Sequence, residues 1–384
     1  MGLVTVGGAQ GATISLKYDS AANTALAQQL ADAITSGINA GTVKPFADGA
    51  GVPPTLQPGT PGEYIQANDG VTALPKGYAD LVEKAPEAVV FGSGDAGETV
   101  LSDSGSNLTF FATGGSGSVV AGGGTNHIVI PGSDNGNWLV DTGSGNDSIV
   151  ALGGNDTINA GGGHNFMLLG GGSDYLQLSG NDTVVAGTGT ATLAASGHHP
   201  TLVYGGSGTL TFVGGDGPAT ILGGSGSATV FGGSGTLLAT GGTAGNNLLF
   251  AGDGAATLEG GGSGDMLLGN GSQHQVLQAG AGNETLVGSM SPVTAASSSG
   301  AAGTGTADAT RTEFQFINHE AGGHDLIIGF NDSDKVNVEG YGPDAVQDAL
   351  STQTVSNGSV TITLSDQTTI TFAGVTALKP TNFG

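Results

Sequence analysis

Carboxylates are the most abundant reactive side chains in this 384-residue chain: 32 Asp and Glu stand against seven Lys and Arg, a formal charge of −25. Asp147, Asp156, Asn165 and Asp174 follow one another at a constant spacing of nine. Catalysis on an acidic sugar needs carboxylates together with Lys, Arg or His. The permanent cations sit at 17, 44, 76, 84, 311, 335 and 379, so none falls between 89 and 288. The seven histidines are His127, His164, His198, His199, His274, His319 and His324. The stretch His319-Glu320-Ala321-Gly322-Gly323-His324 approaches a zinc-protease helix, but its histidines are five apart rather than four and two glycines would break the helix. His198–His199 reads as part of a turn. No Ser-His-Asp arrangement or phosphate loop is present, and the chain reads as no enzyme. Zero Cys removes disulfides, thiolate metal sites and cysteine nucleophiles. The negative charge repels nucleic acid and anionic lipid, and no run reaches the roughly 18 apolar residues of a membrane span.

The element that must position these acids is a repeat. Glycine accounts for 75 residues, and between Gly205 and Thr240 the chain reads GGSGTLTFV, GGDGPATIL, GGSGSATVF, GGSGTLLAT, four nonapeptides without a gap. One aliphatic position keeps step through Ile149, Ile158, Met167, Leu176, Val184, Leu193, Leu202, Phe212, Ile221 and Val230, and continues with one-residue slips to Leu249, Leu258, Leu267 and Leu286. Glycine reaches the φ > 0 that a tight turn needs. The triplet around the aliphatic residue alternates as a short strand, with that residue inward. One unit cannot bury its single apolar side chain, whereas stacked units can. If two nonapeptides close a coil, residues eighteen apart stack, and 91–288 gives roughly eleven coils and a rod of about 50 Å. The expected fold is all-β: a right-handed parallel β-helix or β-roll with a small α+β N-terminal cap and a β-rich C-terminal cap.

These residues resemble the RTX family, whose nonapeptide G-G-x-G-x-D-x-U-x folds as a parallel β-roll that binds Ca²⁺. The likeness covers about half the chain and is strongest over Gly143–Asp182. It implies that sixth-position Asp side chains and glycine-turn carbonyls hold Ca²⁺, which takes about 6–8 oxygen ligands. Carried over position by position, the implied ligands are Asp147, Asp156, Asp174 and Asp182. Asp156 and Asp174 differ by one full coil and match two stacked turns. Asp265 is a fifth position, with Asn283 eighteen later as its partner, and Asp325 and Asp334 restore the spacing of nine after an interruption. Asp and Asn also favour turns without any metal.

The departures from the pattern are equally specific. From Thr190 to Thr240 the sixth slot holds Ala191, Pro200, Leu210, Ala219, Ala228 and Leu237, which cannot ligate a hard cation through their side chains. Thr192, Thr211, Thr220 and Thr229 recur outward, as stacked threonine ladders would. From Ala186 to Phe250 only Asp216 is formally charged.

The flanks divide the chain into residues 1–88 as an N-terminal α+β cap, 89–288 as the β-roll, 289–312 as an Ala/Ser/Gly/Thr linker or loop, and 313–384 as a C-terminal cap. Thr13–Tyr18 alternates as a strand. Ala21–Ile38 places Leu26, Leu30 and Ile34 on one helix stripe, with Ser20 as N-cap and Gly37 or Gly41 as the stop. Pro75–Glu83 reads as a short helix, and the first segment as a lid over the first coil. Pro343–Leu350 reads as a helix, and Ser359–Leu364 with Thr368–Phe372 as a hairpin. The C-terminal region resembles those that follow RTX repeats in substrates of type I secretion. That resemblance implies a bacterial protein, secreted or at the cell surface, exported without a cleaved leader and folded on meeting calcium.

The expected function is a secreted structural protein that assembles with itself into a surface layer, fibre or biofilm matrix, with cell-surface polysaccharide as a further partner. The alternative is an adhesin or a carbohydrate- or ice-binding module on the Thr-bearing face. Neither nucleic acid nor membrane insertion is expected.

Overall fold

The alternation around each aliphatic position becomes strand, as in Ser148–Ala151 around Ile149 and Thr157–Asn159 around Ile158. These strands pair in parallel with strands eighteen residues on, Ile149 with Met167 and Ile158 with Leu176. Two nonapeptides therefore close one coil, and the chain is a parallel β-solenoid with two sheets, one from each nonapeptide. The aliphatic positions named above are fully buried, apart from Leu202. There Val203 turns inward instead, and Thr201 rather than Pro200 takes the buried slot before it. The computed structural model describes residues 1–132, 136–270, 273–288 and 311–384. Most of the expected 289–312 linker thus lies outside the described residues. The chain forms two compact units, residues 1–194 with 199–201 and residues 195–198 with 202–384.

In the first unit the inner column of the first sheet runs Leu81, Val100, Val119, Val140, Ile158, Leu176. That of the second sheet runs Val90, Phe110, Ile128, Ile149, Met167, Val184. The ladder begins earlier than expected. Lys44–Ala47 already pairs in parallel with Gly62–Gln66, and Asp80–Glu83 is the next strand, so the expected helix over Pro75–Glu83 does not form. The reason is burial on both faces: Leu81 points into the coil, while Val82 lies beneath the N-terminal segment. A strand covered on both sides loses the alternation that would reveal it.

That N-terminal segment is an antiparallel hairpin, Gly2–Gly7 with Thr13–Tyr18, followed by the helix Ala21–Ala40. Ser20 Oγ accepts from Asn23 N–H at 3.0 Å, and Gly41 ends the helix at φ 75°. The fully buried stripe is Asn23, Ala27, Ala31 and Ile34, one step round from the expected one, with Leu26 and Leu30 at its edge. The segment is not a lid over the first coil. It packs across the outward column Ile65, Val82, Leu101, Val120, which runs through four neighbouring strands of the first sheet.

The second unit repeats the two-sheet arrangement and ends as expected. The helix Ala345–Ser351 precedes the antiparallel hairpin Ser359–Thr363 with Thr369–Phe372, whose second strand pairs in parallel with His324–Ile328. The hairpin ends the first sheet by turning its run of parallel strands antiparallel.

Candidate metal centre

Position six of each nonapeptide precedes the buried aliphatic residue by two, so strand alternation turns it into the coil as well. A side chain there must be apolar or must find donors inside. Asp147, Asp156, Asp174, Asp182, Asp265, Asp325 and Asp334 all occupy this slot, each no more than 4% exposed. Leu210, Ala228 and Leu237 fill it with hydrocarbon in the intervening coils.

The acids solve their burial in one recurring way: the side chain at position six accepts the backbone N–H of the position-six residue one coil earlier. On the first sheet Trp138 N–H donates to Asp156 Oδ1 at 2.8 Å and Asp156 N–H to Asp174 Oδ1 at 3.0 Å. On the second, Asn126 N–H donates to Asp147 Oδ1 at 2.8 Å and Asp147 N–H to Asn165 Oδ1 at 3.0 Å. Asn165 Nδ2 then donates to Asp182 Oδ1 at 2.8 Å. The second unit uses the same bond from Asn247 N–H to Asp265 Oδ1 (2.8 Å), from Glu284 N–H to Asp325 Oδ1 (3.0 Å) and from Thr312 N–H to Asp334 Oδ1 (3.1 Å).

The slots fall into separate columns. Asp156 with Asp174 and Asp265 with Asp325 lie on first-sheet strands, whereas Asp147, Asp182 and Asp334 lie on second-sheet strands. Asp325 and Asp334, though nine apart in sequence, therefore belong to different sheets. The coil partner of Asp265 is Glu284, not Asn283, whose Oδ1 instead accepts His324 N–H at 2.8 Å. The column Asn247, Asp265, Glu284, Asp325 thus runs through four consecutive first-sheet strands. Glu284 and Asn247 escape a search for Asp at position six. Both become visible by counting back two from Leu286 and Leu249.

One oxygen of several carboxylates is left over. Asp147 Oδ2, Asp156 Oδ2, Glu284 Oε1 and Asp325 Oδ2 are buried without a hydrogen-bond partner. Burial pushes Asp147 and Asp156 up to about 6, the Asp174 charge adding to the rise at Asp156. Glu284 and Asp325 are held well above the carboxylate range by burial and then by neighbouring carboxylate charge, Asp265 acting on Glu284 and Glu284 on Asp325.

In the turns that precede these acids, glycines bring main-chain carbonyls of successive coils close. A Cβ on Gly172 would collide with the carbonyl oxygen of Gly154, and one on Gly154 with that of Gly136; φ at these residues is +96° and +100°. Only glycine suits both demands. Among the described residues no three His, Asp or Glu side chains form a metal cluster, so a bound cation must draw on such carbonyls. Buried, partnerless carboxylate oxygens, together with turns of stacked carbonyls, fit a hard, oxygen-seeking cation such as Ca²⁺. Asp147, Asp156, Glu284 and Asp325 would supply the side-chain oxygens, and the cation would take the place of the proton that burial favours on them.

The histidines form no alternative centre. His319 lies in a turn at φ 72°, outside any helix, and His198 stands at the surface 3.8 Å from Asp216.

Residues 141–176 match the family model described as RTX calcium-binding nonapeptide repeat, in four copies. No curated protein and no solved structure matches the chain.

Proposed function

From a chain that carries RTX calcium-binding nonapeptide repeats on a parallel β-solenoid, we propose a secreted, non-enzymatic structural protein that associates with itself outside the cell once calcium has set its coils. The observation that carries this reading is the outward face of the first sheet in the second unit. Val213, Phe231, Phe250, Leu268, Val287 and Ile328 occupy one outward column through six neighbouring strands. The column beside it reads Thr211, Thr229, Leu248, Met266, Thr285, Leu326. Neither contains a charge, although the chain carries −25. Val213, Phe231 and Met266 are about two-fifths exposed, whereas Val287 is buried, so the open part of the face runs from Val213 to Leu268. Contiguous apolar surface of this kind marks association sites, and copies that repel elsewhere can approach along an uncharged face. The first unit buries its own outward apolar column, from Ile65 to Val120, beneath a helix and hairpin.

Threonine-based ligand recognition is less well supported. Thr211 and Thr229 pair in register, but the next residue in that column is Leu248, and Thr220 lies on the second sheet opposite Leu238. Of the expected threonine ladders, Thr211 and Thr229 stack on the first sheet, while Thr220 stands on the second sheet without a threonine at Leu238. Size-exclusion chromatography with light scattering, and electron microscopy, with and without calcium, test the proposal. Concentration-dependent oligomers or filaments in calcium support it, and a monodisperse monomer at high concentration in calcium overturns it.

A further inference from the structure

We propose a second kind of divalent-cation site, formed by Gln66, Glu83 and Ser102 in the early coils of the first unit, outside the matched nonapeptides. The three residues stand in register on consecutive strands, Gln66 opposite Glu83 and Glu83 opposite Ser102. They are 1%, 0% and 0% exposed. Each presents one buried oxygen that has no hydrogen-bond partner: Gln66 Oε1, Glu83 Oε2 and Ser102 Oγ.

The other polar atoms of the cluster are engaged. Gln66 Nε2 donates to the carbonyls of Asn68 and Gly70, both at 3.4 Å, and Glu83 Oε1 accepts from Ala85 N–H. The amide is thereby turned so that its oxygen remains over. With Glu83 ionised, only the Ser102 hydroxyl can donate within the trio, and none of the three oxygens finds a partner. Something that binds oxygen is missing.

A buried water could bridge such groups, but it brings no charge; without a cation, burial pushes Glu83 up to about 8 and the folded chain holds a proton there. No described ion pair involves Glu83, Lys84 Nζ instead donates to the Ser15 carbonyl, and Asp48 and Asp69 add negative potential. A buried carboxyl in that field ionises only beside positive charge, so a cation bound there takes the place of the proton. A carboxylate, an amide oxygen and a hydroxyl are hard oxygen ligands of the kind Ca²⁺ accepts in flexible geometry, whereas Mg²⁺ demands a near-ideal octahedron. The next residue in the column, Ala121, ends the site.

The test uses the full chain, with calcium as the probe. Calorimetric titration counts ions, and hydrogen exchange reads peptides covering 66–102. Wild type gains exchange protection over 66–102 on adding calcium, while Glu83→Gln binds one ion fewer and loses that protection. Asp156→Ala keeps protection over 66–102 and loses it near 147–182, which separates this site from the repeat sites. Ser102→Ala gives the same loss in milder form and serves if Glu83→Gln fails to fold. Unchanged exchange over 66–102 when calcium is added to wild type overturns the proposal, as does full stoichiometry in both site variants.

Discussion

The backbone N–H of Asp156 donates to Oδ1 of Asp174, eighteen residues ahead, at 3.0 Å. One carboxylate thus does two things at once: it closes the main-chain hydrogen bonding of the coil beneath, and it keeps a charge in the interior. Asn165 and Asn247 do the first without the second, since their Oδ1 atoms accept from Asp147 N–H and Ala228 N–H.

Asp174→Asn and Asp174→Ala therefore separate the two roles. Alanine leaves a buried N–H without an acceptor and costs about 1–3 kcal/mol whether or not calcium is present. Asparagine keeps the acceptor, so melting in chelator stays near wild type while the rise in Tm on adding calcium shrinks. Circular dichroism melts in chelator and in calcium distinguish them. Equal calcium responses in wild type and Asp174→Asn would mean that the Asp174 charge, which acts on Asp156, takes no part in holding the cation.

Gly172 tests the stacking of the turns. Its φ of +96° is strained for an L side chain, and a Cβ there meets the Gly154 carbonyl. Gly172→Ala should cost more than about 2 kcal/mol, with the strained backbone alone accounting for about 1–3. Next to it, Gly171→Ala meets nothing nearer than Thr188 Oγ1 at 3.7 Å and should be close to neutral. Denaturant midpoints of the two variants give the comparison, and similar losses would contradict the close-approach argument.

Glu63 sets a pH dependence away from the repeats. It is fully buried with both oxygens partnerless, and burial, then the Asp80 charge, pushes it from 4.5 up to about 8. A carboxyl whose folded pKa lies above its unfolded value binds its proton more tightly when folded. Its contribution to stability is complete below the unfolded pKa and is lost as pH rises through the folded one. In chelator, Tm should fall between pH 5 and pH 8, and Glu63→Gln should flatten that fall and raise Tm at pH 8. A Tm that climbs over the same interval in wild type would reverse the assignment.

Much of this was legible because the glycine turns fix one register. Ile149 through Leu286 could be placed inward from spacing alone, and the same count places Asp156 over Asp174. Legibility failed where another element or another residue type intervened. Asp80–Glu83 hides its alternation because Val82 is covered by the N-terminal segment. Pro200 shifts the frame by one, so Thr201 and Val203 take the inward places. Glu284 does the work of an Asp at position six, and a motif written with Asp passes over it. Gln66, Glu83 and Ser102 carry no shared spacing, since their coils differ in length, and only strand pairing brings them into line.

Chelation should act unevenly along the chain. Apart from Trp138, the strands from Asn126 to Asp182 place acids or amides at position six, whereas Leu210, Ala219, Ala228 and Leu237 fill it with hydrocarbon. Removing calcium strips charge compensation from the first group and changes nothing inside the second. Hydrogen exchange in chelator should rise first over 147–182 and remain slow over 209–240. A uniform rise across both would mean that the coils melt as one cooperative body and that the slot chemistry does not set local stability.

Phe231 decides whether the uncharged face is an interface. It stands between Val213 and Phe250 in the outward column and is two-fifths exposed, so a substitution there can leave the inward Val230 and Ala228 undisturbed. Phe231→Asp places a carboxylate in the middle of the apolar column. Buried against a second copy, that charge would be desolvated without a partner, at a cost of several kcal/mol per interface; left in water, it costs the folded monomer within about 0.5 kcal/mol. The variant should keep the wild-type Tm in calcium and stay monomeric where the wild type associates. Thr229→Asp, in the neighbouring column, provides a second reading of the same face, whereas Gln177→Asp, on the outward face of the first unit, should associate as the wild type does. If Phe231→Asp and Thr229→Asp assemble at wild-type concentrations, the contact between copies lies elsewhere on the molecule.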